Sequence, residues 1–124
     1  MAFTYWVESG ELWVADGGHV TWHGRPDGKP VRSAIALPGT DDAVVVLDCG
    51  AGERLPGGVI RGWPNLVRVR ADGSVAWRTT ALDAQDSWVS VQWSSGVLTA
   101  NTWTCFAVTL DPDSGAKLSQ RFTK

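Results

Sequence analysis

Apolar and polar residues alternate with a period of two along most of the chain, a pattern that predicts β-strands. No window of a dozen residues shows a 3.6-residue period free of glycine, proline or β-branched runs. We therefore expect an all-β fold of about ten antiparallel strands. The pattern assigns strands to residues 3–8, 11–15, 19–23, 31–37, 43–48, 65–70, 74–80, 88–93, 97–101, 104–110 and 116–122.

Three segments repeat one local design, a β run, a tight Asp/Gly turn and a second β run. They span residues 12–22, 67–77 and 108–118, and the first two close with a tryptophan, Trp22 and Trp77. Asp-Gly between β-favouring runs is a strong hairpin signal, because glycine reaches positive φ without steric cost. The sequence therefore predicts three similar hairpins.

The register of the second hairpin follows from its apolar positions, since a slip of one residue would send them to the wrong face. A three-residue turn with a bulge pairs Val69 with Val75 and Val67 with Trp77, which gathers one apolar face. We expect the opposite face to carry three arginines, Arg68, Arg70 and Arg78.

The length of 124 residues and the mass of 13.3 kDa fit a single domain over residues 1–124. The formal net charge of −2 argues against nucleic acid as a partner. No apolar stretch approaches the roughly 20 residues that span a bilayer, and the first ten residues do not resemble a secretory signal. We therefore expect a cytoplasmic protein without a membrane partner.

Residues 49–64 break the strand rhythm, and we expect an irregular loop there. Its glycines match no phosphate-binding loop. Cys49 lies in this stretch and Cys105 follows 56 positions later, so neither a CxxC redox motif nor a zinc knuckle is available. Two free buried thiols are the first interpretation, and a disulfide remains the alternative.

Candidate chemistry is weak. His19 and His23 lie on a predicted strand with no third ligand nearby, so we expect no metal site. No serine or cysteine stands in a nucleophile motif. Paired carboxylates for glycoside chemistry would have to come from Asp41, Asp42, Asp48 and Glu53, and the sequence does not bring them together. We expect no catalytic residues and no enzymatic activity.

Eight tryptophans stand out more than any of these residues. Five occur in predicted strands, where large rings anchor a small core: Trp6, Trp13, Trp22, Trp77 and Trp93. Three border turns or irregular segments and are candidates for exposure. Exposed tryptophan beside arginine is typical of protein-binding surfaces. The candidate binding residues are therefore Trp63, Arg68, Arg70, Arg78, Trp88 and Trp103.

Residues 65–77, which contain the turn Asp72-Gly73 and end at Trp77, resemble the blade motif of quinoprotein-type (PQQ-like) β-propellers. Residues 106–118 resemble the same unit, and the blade-like region covers about residues 65–124. The pattern from Asp86 to Cys105 is also similar to small uncharacterised bacterial proteins with one such region.

The resemblance implies blade-like hairpins, but a propeller of at least four blades would need about 160 residues. We therefore expect two packed sheets or a small open barrel instead of a closed propeller. No residues match the quinone sites of the large propeller enzymes, so no cofactor is implied.

The sequence taken together predicts a small binding protein without catalytic activity. The function that these features favour first is protein interaction. An example is an inhibitor or immunity-type protein whose arginine and tryptophan surface docks on another protein. The alternative is a small-molecule or carbohydrate-binding domain with a tryptophan-lined cleft. Pairing of exposed strand edges would also allow a homodimer.

Overall fold

The computed structural model describes residues 3–48, 53–54, 60–61, 64–82 and 86–123. These residues form thirteen strands and one 3₁₀ turn (Pro26–Gly28), with no α-helix among them. The strands are β1 (Phe3–Glu8), β2 (Glu11–Asp16), β3 (His19–Gly24), β4 (Val31–Ala36), β5 (Ala43–Leu47), β6 (Glu53–Arg54), β7 (Ile60–Arg61), β8 (Leu66–Val69), β9 (Val75–Thr79), β10 (Trp88–Ser94), β11 (Val97–Thr102), β12 (Phe106–Leu110) and β13 (Lys117–Phe122).

The strands build three main antiparallel sheets. The first sheet has the order β1-β2-β3, the second β4-β5-β8-β9 and the third β10-β11-β12-β13, while β6 and β7 form a separate two-stranded ribbon. The predicted all-β class is confirmed, and the described strands form neither a closed barrel nor a closed propeller. They make three main sheets, where two packed sheets or a small open barrel were expected.

The second sheet lies between the other two and is buried on both faces. Every residue of β5 is buried. Val45 belongs to a core shared with the first sheet, where it joins Leu12 and Val14. Val44 belongs to a second core shared with the third sheet, together with Leu98. Two-sided burial explains the uninterrupted apolar run of β5, which is typical of strands covered on both faces.

The register of β8 and β9 is partly as predicted. Val69 pairs with Val75, but a bulge follows, so that Arg68 lies opposite Trp77 and Val67 opposite Arg78. The predicted pairing of Val67 with Trp77 is therefore wrong. The prediction assumed one apolar face, whereas the bulge turns Trp77 toward the third sheet and leaves Val67 facing the first.

A tryptophan of one sheet packs on a turn glycine of the next at both sheet interfaces. A Cβ added to Gly73, in the β8–β9 turn, would lie 2.2 Å from Cε2 of Trp22 on β3. A Cβ added to Gly115, between β12 and β13, would lie 2.7 Å from Cε3 of Trp77 on β9. Only glycine leaves room for these rings, since real Cβ atoms do not approach so closely.

Within residues 49–64, β6 and β7 pair with each other, Glu53 opposite Arg61 and Arg54 opposite Ile60. Most of the predicted irregular loop, including Cys49 and Trp63, lies outside the described residues.

Candidate functional site

Arg68 and Arg78 do not share one face, because the bulge in β9 places Trp77 opposite Arg68 and Arg78 opposite Val67. Arg68 faces the third sheet with only 13% of its side chain exposed. Its Nε donates to Oδ2 of Asp42 at 2.7 Å, and its Nη1 donates to the carbonyl oxygen of Pro112, also at 2.7 Å. This side chain joins the second and third sheets and is not available as a free binding group.

Arg78 and Arg70 are exposed, and each has a partner of its own. Both Arg78 nitrogens, Nε and Nη2, donate to the Asp27 carboxylate at 2.6 Å, a bidentate pair that raises the pKa of the guanidinium. Arg70 donates to Oγ of Ser74 in its own hairpin at 3.3 Å. The predicted arginine face is thus replaced by three separate sets of contacts.

Trp88 was predicted as an exposed binding residue, and this prediction is wrong. The side chain is 1% exposed and belongs to the core between the second and third sheets. Its indole Nε1 donates to the carbonyl oxygen of Thr79 at 3.0 Å. A buried indole needs such an acceptor, and its partner is on another sheet, where adjacency in sequence could not reveal it.

Trp103 is the most exposed large apolar side chain among the described residues, at 73%. It stands on the short turn between β11 and β12. Its backbone N–H donates to the carbonyl oxygen of Ser87 at 2.8 Å. The ring therefore projects into solvent from a backbone that is itself fixed.

The turn that carries Trp103 is held by a buried carboxylate, Asp86, which is 3% exposed. Its Oδ1 accepts from the backbone N–H of Thr104 at 3.2 Å, and its Oδ2 accepts from the Thr104 hydroxyl at 2.7 Å. On the other side of the turn, Oγ1 of Thr102 accepts from the N–H of Phe106. These bonds satisfy the polar groups of the turn and restrict its conformations.

The end of β13 lies against the same turn. Both the N–H and the hydroxyl of Thr123 donate to the carbonyl oxygen of Cys105 at 2.8 Å. The preceding residue, Phe122, is 57% exposed and makes an edge-to-face contact with Phe106, with ring centroids 5.3 Å apart. Exposed aromatic surface is therefore concentrated at one end of the third sheet.

A second aromatic group lies on the first sheet, and the sequence reasoning missed it. Trp6, Trp13 and His23 are register partners across β1, β2 and β3. The Trp6 and Trp13 rings are stacked at 6.0 Å, and the Trp13 and His23 rings at 4.2 Å. Both tryptophans were expected in the core, but they lie on the face opposite Leu12 and Val14. Only the pairing of all three strands reveals this ladder.

The remaining candidates show no catalytic arrangement within the described residues. His23 Nδ1 lies 3.2 Å from Oε1 of Glu11, and no group of three metal-binding side chains occurs in that part of the chain. Cys105 is a free cysteine. Burial and the nearby acidic side chains of Asp42, Asp41 and Asp72 raise the pKa of Tyr5 to about 12. No helix in the described ranges has the length and apolarity to cross a bilayer.

Comparison with known families gives a match over residues 30–122, to a family described as "Domain of unknown function (DUF7957)". The chain belongs to this family. The DUF7957 match runs through the second and third sheets, and the first sheet precedes it. No curated protein matches the chain.

Among solved structures, this DUF7957 member is similar to BamB from Moraxella catarrhalis, with 17% sequence identity and a TM-score of 0.67. The alignment covers 96% of this chain and 32% of that chain. BamB is a PQQ-like β-propeller protein. At this identity the likeness concerns the fold alone, and it supports the resemblance to propeller blades that the sequence predicts. The chain spans about a third of the BamB structure.

Proposed function

We propose that the protein is a binding module without catalytic activity that recognises another protein through the surface around Trp103. The observation that carries this proposal is the 73% exposure of the Trp103 side chain on a turn fixed by buried Asp86. Tryptophan is enriched among residues that dominate binding energy, and burying one ring removes on the order of 200 Å² from water.

The fixed conformation of the turn that carries Trp103 supports a binding role, in addition to the exposure of the ring. Ordering a loop on association costs free energy, and a turn ordered in advance avoids that cost. Here Thr104 is bound by Asp86, and Cys105 by Thr123, before any partner arrives. The arrangement therefore suits a preformed anchor for a complementary pocket.

The surroundings of Trp103 favour a partner with an apolar pocket and an acidic rim. Phe122 adds exposed aromatic surface at the same end of the sheet, and its neighbour Arg121 is also exposed. An inhibitor or immunity-type protein is a concrete form of this proposal. A cytoplasmic location is part of it and agrees with the free thiol of Cys105.

The carbohydrate-binding alternative has less support. Sugars stack on free ring faces, whereas the Trp13 ring has Trp6 on one neighbouring strand and His23 on the other, both stacked against it. Trp103 is exposed, but none of the ring contacts between described residues joins it to a second aromatic side chain.

The test compares Trp103→Ser with a matched control, Leu118→Ser, which removes another exposed apolar side chain from β13. Each labelled protein is incubated in native cell extract, cross-linked and analysed by quantitative mass spectrometry. We expect one stoichiometric protein to be captured by the wild type and by Leu118→Ser and to be lost with Trp103→Ser.

Thermal and chemical denaturation should show that both variants keep the wild-type free energy of unfolding to within about 0.5 kcal/mol, as expected of surface changes. Equal capture by all three proteins, or capture by none, would overturn the proposal.

A further inference from the structure

The three hairpins repeat one geometry, including the bulge. On the strand side of the bulge, the first register pair is Val14 with Trp22 in the first hairpin. The equivalent pair is Arg68 with Trp77 in the second hairpin and Thr109 with Ser119 in the third. Ser119 of the third sheet therefore occupies the position that holds a tryptophan in the other two sheets.

The turn glycines are equivalent as well. Gly18, Gly73 and Gly115 have positive φ, at 90°, 88° and 78°. Each stands two residues before the residue that is paired next to the bulge on its turn side, which is Val20, Val75 and Lys117 respectively. Gly73 receives the Trp22 ring and Gly115 receives the Trp77 ring. Gly18 has no atom within 4 Å of a Cβ position. The first sheet therefore has the turn glycine of this contact, but no tryptophan packs on it.

The face around Gly18 has the character of an interface. Val20, in the strand that follows the turn, is 50% exposed. The ladder of Trp6, Trp13 and His23 covers the centre of the same face. The indole Nε1 of Trp13 is buried and has no hydrogen-bond acceptor in the part of the chain that the structure describes. A buried donor without an acceptor is costly, so this face is incomplete as it stands.

The outer face of the third sheet does not complement it. Ser119 has no ring to donate, and its neighbours on that face are mostly polar: Ser90, Gln92, Thr99, Asn101 and Thr109. A head-to-tail contact between two copies would therefore lack the tryptophan that both internal interfaces possess. A second copy of this chain does not fit the receiving face.

We infer that the outer face of the first sheet is a docking site for a β-sheet of another protein, one that presents a tryptophan to Gly18 as Trp22 does to Gly73. Two interfaces within the chain use this contact, and the same turn geometry recurs at Gly18, so the first sheet continues the series. Trp103 lies on the third sheet, so this site and the proposed Trp103 surface can fail independently.

The test uses a probe made from the chain itself. The double variant Gly18→Ala/Ser119→Trp gains an indole ring that can pack on Gly18 of another molecule. It also loses Gly18 itself, so it can dock on the wild type but not on a second copy of the variant. The control, Gly18→Ala/Ser119→Leu, gains apolar bulk without an indole. Each unlabelled variant is titrated into ¹⁵N-labelled wild-type protein and followed by NMR.

We expect the amide signals of Gly18 and Val20 and the indole N–H signal of Trp13 to shift and saturate at a one-to-one ratio with the tryptophan probe. The leucine control should bind about 30-fold more weakly, as expected when a tryptophan anchor is lost. No shift at these positions, or equal affinity for both probes, would overturn the inference.

If the double variants do not fold, the single variant Ser119→Trp serves instead. Its sedimentation mass should then exceed the 13.3 kDa of one chain because copies join head to tail, while the wild type stays at that mass. A Ser119→Trp protein that remains at the wild-type mass would overturn the inference equally.

Discussion

Asn65 and Trp88 hold the second and third sheets together through reciprocal hydrogen bonds. The Asn65 Oδ1 accepts from the backbone N–H of Trp88 at 3.0 Å, and Nδ2 donates to the Trp88 carbonyl oxygen at 2.8 Å. The same Nδ2 donates to the carbonyl oxygen of Leu47 at 3.0 Å. One buried amide thus satisfies three backbone groups at the ends of strands from two sheets.

Replacing Asn65 with leucine should therefore be costly, because the side chain keeps its size while three buried backbone groups lose their partner. We expect a loss of about 2–5 kcal/mol in the free energy of unfolding, measured by urea denaturation. The control is Asn101→Leu, since the Asn101 side chain bonds an exposed hydroxyl of Ser90 and should cost less than about 0.5 kcal/mol. Equal losses would contradict the bridging role.

The packing of Trp77 on Gly115 can be separated from backbone strain by a matched pair of substitutions. Gly39 has nearly the same φ as Gly115, 80° against 78°, but nothing lies within 4 Å of its Cβ position. Gly39→Ala should cost only the strain of positive φ, about 1–2 kcal/mol. Gly115→Ala should cost about 1–3 kcal/mol more, because the methyl group displaces the indole. Differential scanning calorimetry of the two variants checks this difference.

Arg68 should behave as an internal bridge and Arg70 as a surface residue. Arg68→Met removes the donor that Arg68 gives to Asp42 and one of the two donors to the Pro112 carbonyl, which keeps the indole Nε1 of Trp77, so we expect a loss of about 1–3 kcal/mol. Arg70→Met should change the free energy of unfolding by less than about 0.5 kcal/mol. Chemical denaturation of both proteins decides the point, and equal stability would place Arg68 on the surface after all.

We expect the ionisation of Tyr5 to lower the free energy of unfolding in alkaline solution. Its pKa is raised to about 12 in the folded protein, first by burial and then by Asp42, while an unfolded tyrosine titrates near 10. The neutral phenol therefore contributes stability that is complete below about pH 10 and is lost between about pH 10 and pH 12. Tyr5→Phe should remove this part of the pH dependence.

The measurement is direct because Tyr5 is the only tyrosine in the chain. Ultraviolet titration of the folded protein should show tyrosinate forming well above pH 10, and the unfolded protein should titrate near 10. A wild type and a Tyr5→Phe variant that lose stability equally over this pH range would contradict the prediction.

Strand positions were predictable because each strand reads as a short alternating or apolar run between turn residues. Each of the eleven predicted strands overlaps one in the structure, with ends that differ by a few residues. The number of sheets was harder to predict, since it depends on which faces are covered. The buried run Ala43–Leu47 carries that information, because five consecutive apolar residues are typical of a strand buried on both sides.

The errors at the site have a common physical cause, which is contact over long sequence separation. Trp88 borders a turn, yet the partners that take it into the core, Asn65 and Thr79, lie 23 and 9 positions earlier. Arg68 is held by Asp42 and Pro112 from two other segments. One added residue in β9 reverses the face of Trp77, and alternation alone cannot locate such a bulge.

The pairing of Trp22 with Gly73 and of Trp77 with Gly115 also sets an order of events during synthesis. Trp22 leaves the ribosome 51 residues before Gly73, and Trp77 leaves it 38 residues before Gly115. At translation speeds of about 5–20 residues per second, each indole is exposed for roughly two to ten seconds before the glycine that it packs on has been synthesised. Chaperones that bind exposed aromatic side chains have that interval to act. The third sheet has Ser119 at this position, so it adds no exposed indole of this kind during synthesis.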